Sequence, residues 1–415
     1  MDARESGRYT GWVAEELLVD DAKGLLDGVV ALRRKLHARP ELGLSLPETK
    51  RSVLDALAGL PLELWESERT SGVVATLRGA RPGPTLLLRA DMDALKMPED
   101  TGLAFASTNA GTMHACGHDA HTAMLVGAAR LLATRRDALS GTVKFLFQPG
   151  EEGHFGARIM IEEGMLEHAP AVDAAFAIHV APLAPRGAVV TRRGPIMAAA
   201  DNFHITLRGR GGHASMPDRC IDPVPAACEL VQALQAMVTR RVPVGDGGVL
   251  TVTQLEAGTT TNVIPEGVLL AGTIRSLSER TRKILHDGLR RVTEGVAAAH
   301  ELTADIRLDQ GYPVVVNHAG FTDFTTGVVR DLFGDVGLVE MPTPVMGAED
   351  FSYILQRVPG TFAFFGVRPE GVERPQDLHS NRMLLDEGAM AQGVALHAAM
   401  ALRYLDGTAR TFAAP

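Results

Sequence analysis

The spacing of apolar side chains divides the chain into two grammars. Over residues 22–37, Leu25, Leu26, Val29, Val30, Leu32 and Leu36 recur at helical spacing, and Pro40 ends the pattern. A second helix is predicted after Pro47, through Val53, Leu54, Leu57 and Leu60. Apolar runs at 73–77, 85–88, 143–147 and 174–178 read as buried strands, the first two separated by a Gly/Pro turn over 79–84. Helical stretches at about 121–134 and 157–163 fall between them. Strands with no wet face, interleaved with helices, predict a largely parallel sheet covered on both sides. Residues 1–20 carry little pattern and read as a loose lead-in or a first helix.

Near residue 195 the pattern changes. Residues 203–208 alternate like a strand with one wet face, and 222–239 form an amphipathic helix through Leu230, Val231, Leu234 and Val238. Strands at 249–255 and 268–274, a helix over 278–298 and a strand at 304–308 complete a β-α-β-β-α-β order, as in ferredoxin-like domains. After about Tyr312 the first grammar returns, with a helix over 321–332, a strand at 362–365 and a helix over 387–405. The predicted fold is therefore α/β. A mixed, mostly parallel sheet with helices on both faces (residues 1–195 and 310–415) is interrupted by an inserted α+β domain (196–309).

Composition narrows the function classes. The chain has 415 residues, 46% of them apolar and 22% charged, which is globular usage and not that of a mainly disordered chain. Its 41 basic and 50 acidic residues give a net charge of −9, and no long basic run appears, which argues against nucleic-acid and membrane-surface partners. No apolar run approaches the ~18 residues of a spanning helix. The first residues lack an apolar signal core, and three cysteines cannot build a disulfide framework, so a cytoplasmic location is expected.

The chemistry lies just beyond the predicted strands, where open α/β sheets bind their ligands. The run at 85–88 leads to Arg89-Ala90-Asp91-Met92-Asp93, that at 143–147 to Gln148-Pro149-Gly150-Glu151-Glu152-Gly153, and that at 174–178 to His179. The densest segment is Met113-His114-Ala115-Cys116-Gly117-His118-Asp119-Ala120-His121. Thiolate and imidazole suit Zn²⁺ and similar ions, and Cys116 and His118 can reach one site from a tight loop. His114 and His121 stay open as ligands, partners of ligands or core residues. The bland alternative is a helix entry capped by Asp119. Cys116 as an activated nucleophile is a rival, against which stand the further donors Glu152, His179 and His379. Cys220 and Cys228 lack such surroundings and read as structural.

Glu151 and Glu152 point in different directions, so one can hold a metal while the other serves as general base. Asp93 is expected to hydrogen-bond a ligating imidazole, while Asp91 could equally cap a turn. In the inserted domain, His213 sits at the tip of a glycine-rich loop, and Asn262 and Arg275 could hold a substrate carboxylate.

These segments resemble the metal-dependent aminoacylase/carboxypeptidase (peptidase M20) family, and within it the branch of hippurate and indoleacetyl-amino-acid hydrolases. The resemblance is carried by Arg33-Arg34-Lys35-Leu36-His37, Arg89-Ala90-Asp91-Met92-Asp93, His114-Ala115-Cys116-Gly117-His118-Asp119, Gln148-Pro149-Gly150-Glu151-Glu152-Gly153, Gly211-Gly212-His213, Asn262-Val263-Ile264-Pro265, Gly347-Ala348-Glu349-Asp350-Phe351 and Leu378-His379-Ser380. It implies an amidohydrolase with two divalent ions, Mn²⁺ or Zn²⁺ first and Co²⁺ or Ni²⁺ as alternatives, on Cys116, His118, Glu152, His179 and His379. It implies Glu151 as general base, and His213 as an oxyanion-stabilising group reaching a partner's site in a homodimer formed through the inserted lid. Asn262 and Arg275 match substrate-binding positions, and the implied substrate is a small N-acyl amino acid. One departure is Asn381-Arg382-Met383, where the branch often carries a proline and an aromatic.

Overall fold

A computed structural model describes residues 17–406 and 412–413; most of the unpatterned lead-in lies outside the described residues. The chain forms two compact units. The first comprises 1–194, 316–342 and 353–415, and the second 195–315 with 343–352.

The first unit is built on an eight-stranded sheet in the order Glu63–Glu66, Val73–Arg78, Ser140–Gln148, Arg81–Asp91, Ala174–Ala181, Gly360–Gly366, Val189–Thr191, Leu338–Glu340. The central four strands, from Ser140–Gln148 to Gly360–Gly366, run parallel, as does the outer Val189–Thr191/Leu338–Glu340 pair. The remaining three pairings are antiparallel, so the sheet is mixed and mostly parallel. Every residue of Ser140–Gln148 is buried, as expected for a central strand covered on both faces.

The helix His118–Ala133 explains much of this burial. Its sequence, HDAHTAMLVGAARLLA, is apolar nearly all round, and fourteen of its sixteen residues are buried between the sheet and the helices Leu26–His37 and Met390–Tyr404. Gly127 permits that closeness, because a Cβ there would meet Val394 Cγ2 at 2.6 Å and Val29 Cγ2 at 2.9 Å. The helix starts at His118, three residues before the patterned start, so the Cys-Gly-His loop runs straight into it.

The second unit has a four-stranded antiparallel sheet, ordered Gly248–Ala257, Gly267–Ser276, Ala199–Arg208, Thr303–Gln310. With helices Pro223–Arg241 and Glu279–Ala299 it follows the β-α-β-β-α-β order. Alternate residues of Ala199–Arg208 are buried, and Phe203, Ile205 and Leu207 pack with Leu230, Leu234, Leu285 and Leu289 of the two helices. Asp222 and Ser278 cap the helices, their side chains accepting from Val224 N and Thr281 N. The buried Asp201 carboxylate ties this layer together, accepting from Arg282, His286 Nε2 and Gly311 N.

Candidate metal centre

The parallel strands deliver their polar ends to one edge of the sheet. Arg81–Asp91 ends in the buried Asp91 and leads to the buried Asp93. Ser140–Gln148 leads to Glu151 and Glu152, and Ala174–Ala181 carries His179 near its end. The Cys116-Gly117-His118 loop completes the edge. Gly117 has φ 80° and ψ 18°, and a Cβ on it would lie 2.4 Å from Val180 Cγ2. Only glycine takes that conformation at that approach without strain. His118 and His121 then share one face of the first helical turn, their rings 5.4 Å apart, with His121 4.6 Å from the His179 ring.

Hydrogen bonds set the tautomers. His118 Nδ1–H donates to the main-chain oxygen of Asp93 (2.8 Å), leaving the buried Nε2 with no hydrogen-bond partner and Asp91 Oδ2 at 3.5 Å. His179 Nδ1–H donates to Val180 O (2.8 Å), and its Nε2 lies 3.4 Å from Cys116 Sγ. His121 is the reverse: Val180 N donates to its Nε2 (2.8 Å), so its Nδ1–H donates to Asp91 Oδ1 (2.5 Å). The other oxygen of Asp91 accepts from Arg89 (2.6 Å). Two imidazoles therefore turn Nε2 toward the site, that of His118 without a hydrogen-bond partner and that of His179 against Cys116 Sγ, while the third is used inside the wall.

The carboxylate of Asp93 binds the glutamate loop, accepting from Glu151 N (2.9 Å) and Glu152 N (3.0 Å). It is the main-chain oxygen of Asp93 that holds His118, with the carboxylate 3.7 Å from the ring. Asp91 caps no turn but anchors His121.

Three groups of donor atoms, each mutually within 4.8 Å, overlap here: Cys116, Glu152 and His379; His118, Glu151 and Glu152; and Asp91, His118, His121 and His179. His379 Nε2 is 3.3 Å from Glu152 Oε1. Cys116 links the groups: its Sγ is 3.4 Å from His179 Nε2 and within 4.8 Å of donor atoms of Glu152 and His379.

The electrostatics favour positive charge at this edge. Burial would depress His118, but Asp91 and Cys116 outweigh it and hold the imidazole well above its ordinary range. Burial would raise Asp91, yet Arg89, His118 and His121 hold it well below the carboxylate range. Hydrogen bonds with Cys116 and then Glu152 push His379 up to about 10. Burial pushes the Cys116 thiol up and His179 well down. Sulfur, imidazole and carboxylate donors converge, and the buried His118 Nε2 lacks a hydrogen-bond partner; this set fits divalent metal ions.

The remaining expected residues belong to the second unit. His213 is exposed in the two-residue strand Gly212–His213, paired with Val263–Ile264, and its Nδ1 accepts from Ser215 N (3.1 Å). Asn262 is exposed; its main-chain oxygen accepts from Ala214 N and its side chain from Thr260 Oγ1 (3.2 Å). Arg275 donates to Thr273 Oγ1 and Ile274 O (3.0 Å). Cys228 is exposed on its helix rather than part of a core.

Asp119 is not the helix cap. It accepts from His37 Nδ1 (2.7 Å) and pairs with Arg33 Nε (2.7 Å), while His37 Nε2 lies 3.1 Å from Glu99. The signal for this network was present in Arg33 and His37, four apart on one helix. His114 is fully buried with neither ring nitrogen hydrogen-bonded, and burial pushes it down to about 3.

The model of the peptidase family M20/M25/M40 matches residues 87–403. The chain belongs to that family. Among curated relatives, thermostable carboxypeptidase 1 of Saccharolobus solfataricus is 37% identical over 94% of this chain and 98% of the relative. N-acetyl-L-cysteine deacetylase of Bacillus subtilis is 38% identical over 91% and 88%. The IAA-amino acid hydrolase ILR1-like 2 of Arabidopsis thaliana is 37% identical over 95% and 91%. A solved structure from Bacillus subtilis, described as a dinuclear metal-binding peptidase of the M20 family, superposes with TM-score 0.81 at 34% identity, covering 93% of this chain and 99% of that one. This M20 member is thus a metal-binding amidohydrolase with a mixed α/β fold. Among its described residues no helix is long and apolar enough to cross a membrane.

Proposed function

We propose that this M20 enzyme hydrolyses the amide bond of small N-acyl amino acids with two divalent ions, Mn²⁺ or Zn²⁺ in the first instance. Cys116, Glu152 and His379 would hold one ion, and His118 and His179 the other. The observation that carries the reading is the buried Glu151, whose carboxylate lies within 4.8 Å of donor atoms of His118 and Glu152 at the strand ends. When bound, the ions supply Lewis acidity, lowering the pKa of water and polarising the carbonyl.

The chain's own groups do the rest. Glu151 takes one proton from the attacking water as its oxygen bonds to the amide carbon, and passes that proton to the nitrogen as the C–N bond breaks. A carboxylic acid and a free amino acid leave. Asp93 fixes the height of Glu151 through the loop N–H groups.

The domain at 196–309 serves as lid and dimer surface, while 1–195 and 310–415 form the catalytic domain. His213 stabilises the developing oxyanion from a partner copy. Its Nδ1 accepts a hydrogen bond from Ser215, which places the proton on Nε2 as an outward donor. Asn262 and Arg275 recognise the substrate carboxylate. A cysteine nucleophile is disfavoured, because Cys116 stands among further metal donors, His179 at 3.4 Å and Glu152 and His379 within 4.8 Å, which a thiol hydrolase does not need.

A second reading, peptide cleavage from the carboxyl end, is favoured by the similarity to the Saccharolobus carboxypeptidase. The test is a panel of acetyl, benzoyl and indoleacetyl amino acids alongside unblocked dipeptides, on protein reconstituted separately with Mn²⁺ and Zn²⁺. The N-acyl series turns over faster, and Glu151→Gln keeps its metal while losing about 10²–10⁴ in rate. Faster cleavage of unblocked dipeptides selects the second reading. Undiminished turnover in Glu151→Gln removes the base.

A further inference from the structure

Of the proposed ligands, His379 is the least enclosed. Cys116, His118 and His179 are buried, whereas the His379 side chain is 55% exposed and its backbone is left-handed (φ 63°). That conformation is unfavourable for a residue with a Cβ and persists only when the surroundings impose it. Its own main-chain N–H reaches Ala115 O (2.9 Å), and three neighbours tie down the following residues. Asp100 N donates to Asn381 O (2.8 Å), Arg382 Nε donates to Asp100 Oδ2 (2.7 Å), and Met383 is fully buried with Met113 and Ala115. The segment that departs from the family pattern is thus pinned on its polar side by one residue.

Asp100 stands on a braced base. The adjacent Glu99 accepts from Ser107 N (2.6 Å) and approaches His37 Nε2 (3.1 Å), which is itself locked onto Asp119. We infer that Asp100 is a positioning residue for His379, clasping Asn381 and Arg382 so that the imidazole meets Cys116 and Glu152 at one ion. This rests on the two-ion reading above. An exposed ion pair adds little to global stability. The clasp therefore acts selectively, on the ion that uses His379.

The experiment uses the full chain stripped of metal, with Mn²⁺ and Zn²⁺ titrated against a chromophoric chelator, in Asp100→Ala, Arg382→Ala and the swap Asp100→Arg/Arg382→Asp. Alanine leaves the Asp100 N–H in place, so the comparison reads the carboxylate. Each single variant is expected to lose about fivefold in affinity for one of two ions, the scale of a favourable exposed pair, with the other ion and the melting temperature unchanged. The swap recovers part of the loss, and kcat returns at saturating metal. Two-ion binding by the single variants at wild-type affinity, or equal weakening of both ions, overturns the clasp. A wild-type chain that takes up no divalent ion refutes the metal reading itself, a separate outcome.

Discussion

Replacing Gly117 with alanine tests whether the Cys-Gly-His turn is what gathers the donors. The left-handed backbone at φ 80° costs a residue with a Cβ about 1–2 kcal/mol. The new Cβ would stand 2.4 Å from Val180 Cγ2, and forcing extra volume into a packed site costs roughly 1–3 kcal/mol. Val180 is fully buried, and its N–H holds His121, so it yields only by moving the residues beside it, His179 included. If the loop yields instead, Cys116 and His118 move. Either way the arrangement that binds metal is disfavoured by about 2–5 kcal/mol, equivalent to a loss of roughly 30- to 3,000-fold in affinity. The assay is chelator competition on the metal-stripped variant beside its melting curve. Gly111→Ala is the control, because Gly111 has φ 74° but open space around its Cβ direction. It is expected to lose stability with metal affinity intact. Wild-type metal affinity in Gly117→Ala would refute the reasoning.

The same geometry sets other outcomes. His213→Ala is expected to lower kcat about 10²–10³-fold with no change in metal content or melting temperature, the behaviour of an oxyanion donor; unaltered kcat removes that role. Asp201 gives a pH signature in the second unit. Burial would raise its carboxyl, but hydrogen bonds from Arg282 and His286 bring it down to about 2. A carboxylate depressed in the folded state contributes stability above its unfolded value near 4, and the contribution is lost as pH falls toward 2. Urea denaturation of wild type and Asp201→Asn should therefore differ most near neutrality and converge on acidification. A gap constant with pH would contradict the linkage.

Much of the sheet was legible because its central strands are apolar on both sides. The runs at 143–147 and 174–178 are strand cores, and the polar residues after them mark the working edge. Direction was not legible: Val73–Arg78 has the same apolar character as its neighbours yet runs antiparallel to Ser140–Gln148. Three-residue strands such as Val189–Thr191 and Leu338–Glu340 are too short to show a period. The metal loop stood out because one cysteine and three histidines crowd nine residues. Its supports did not. That His121 serves Asp91 depends on how close a helix packs to a strand end, and Asp119 finds His37 across 82 residues of chain. The departure at Asn381-Arg382-Met383 had no meaning until the fold brought Asp100 to it.

The proposed chemistry depends most on where the ions sit. Crystals of the protein loaded with Zn²⁺, and separately with Mn²⁺, should show two anomalous peaks about 3.5–4 Å apart. One should contact Cys116, Glu152 and His379 and the other His118 and His179, with the carboxylate of Glu151 bonded to neither. A single peak, peaks outside this edge of the sheet, or Glu151 directly ligating an ion would contradict it.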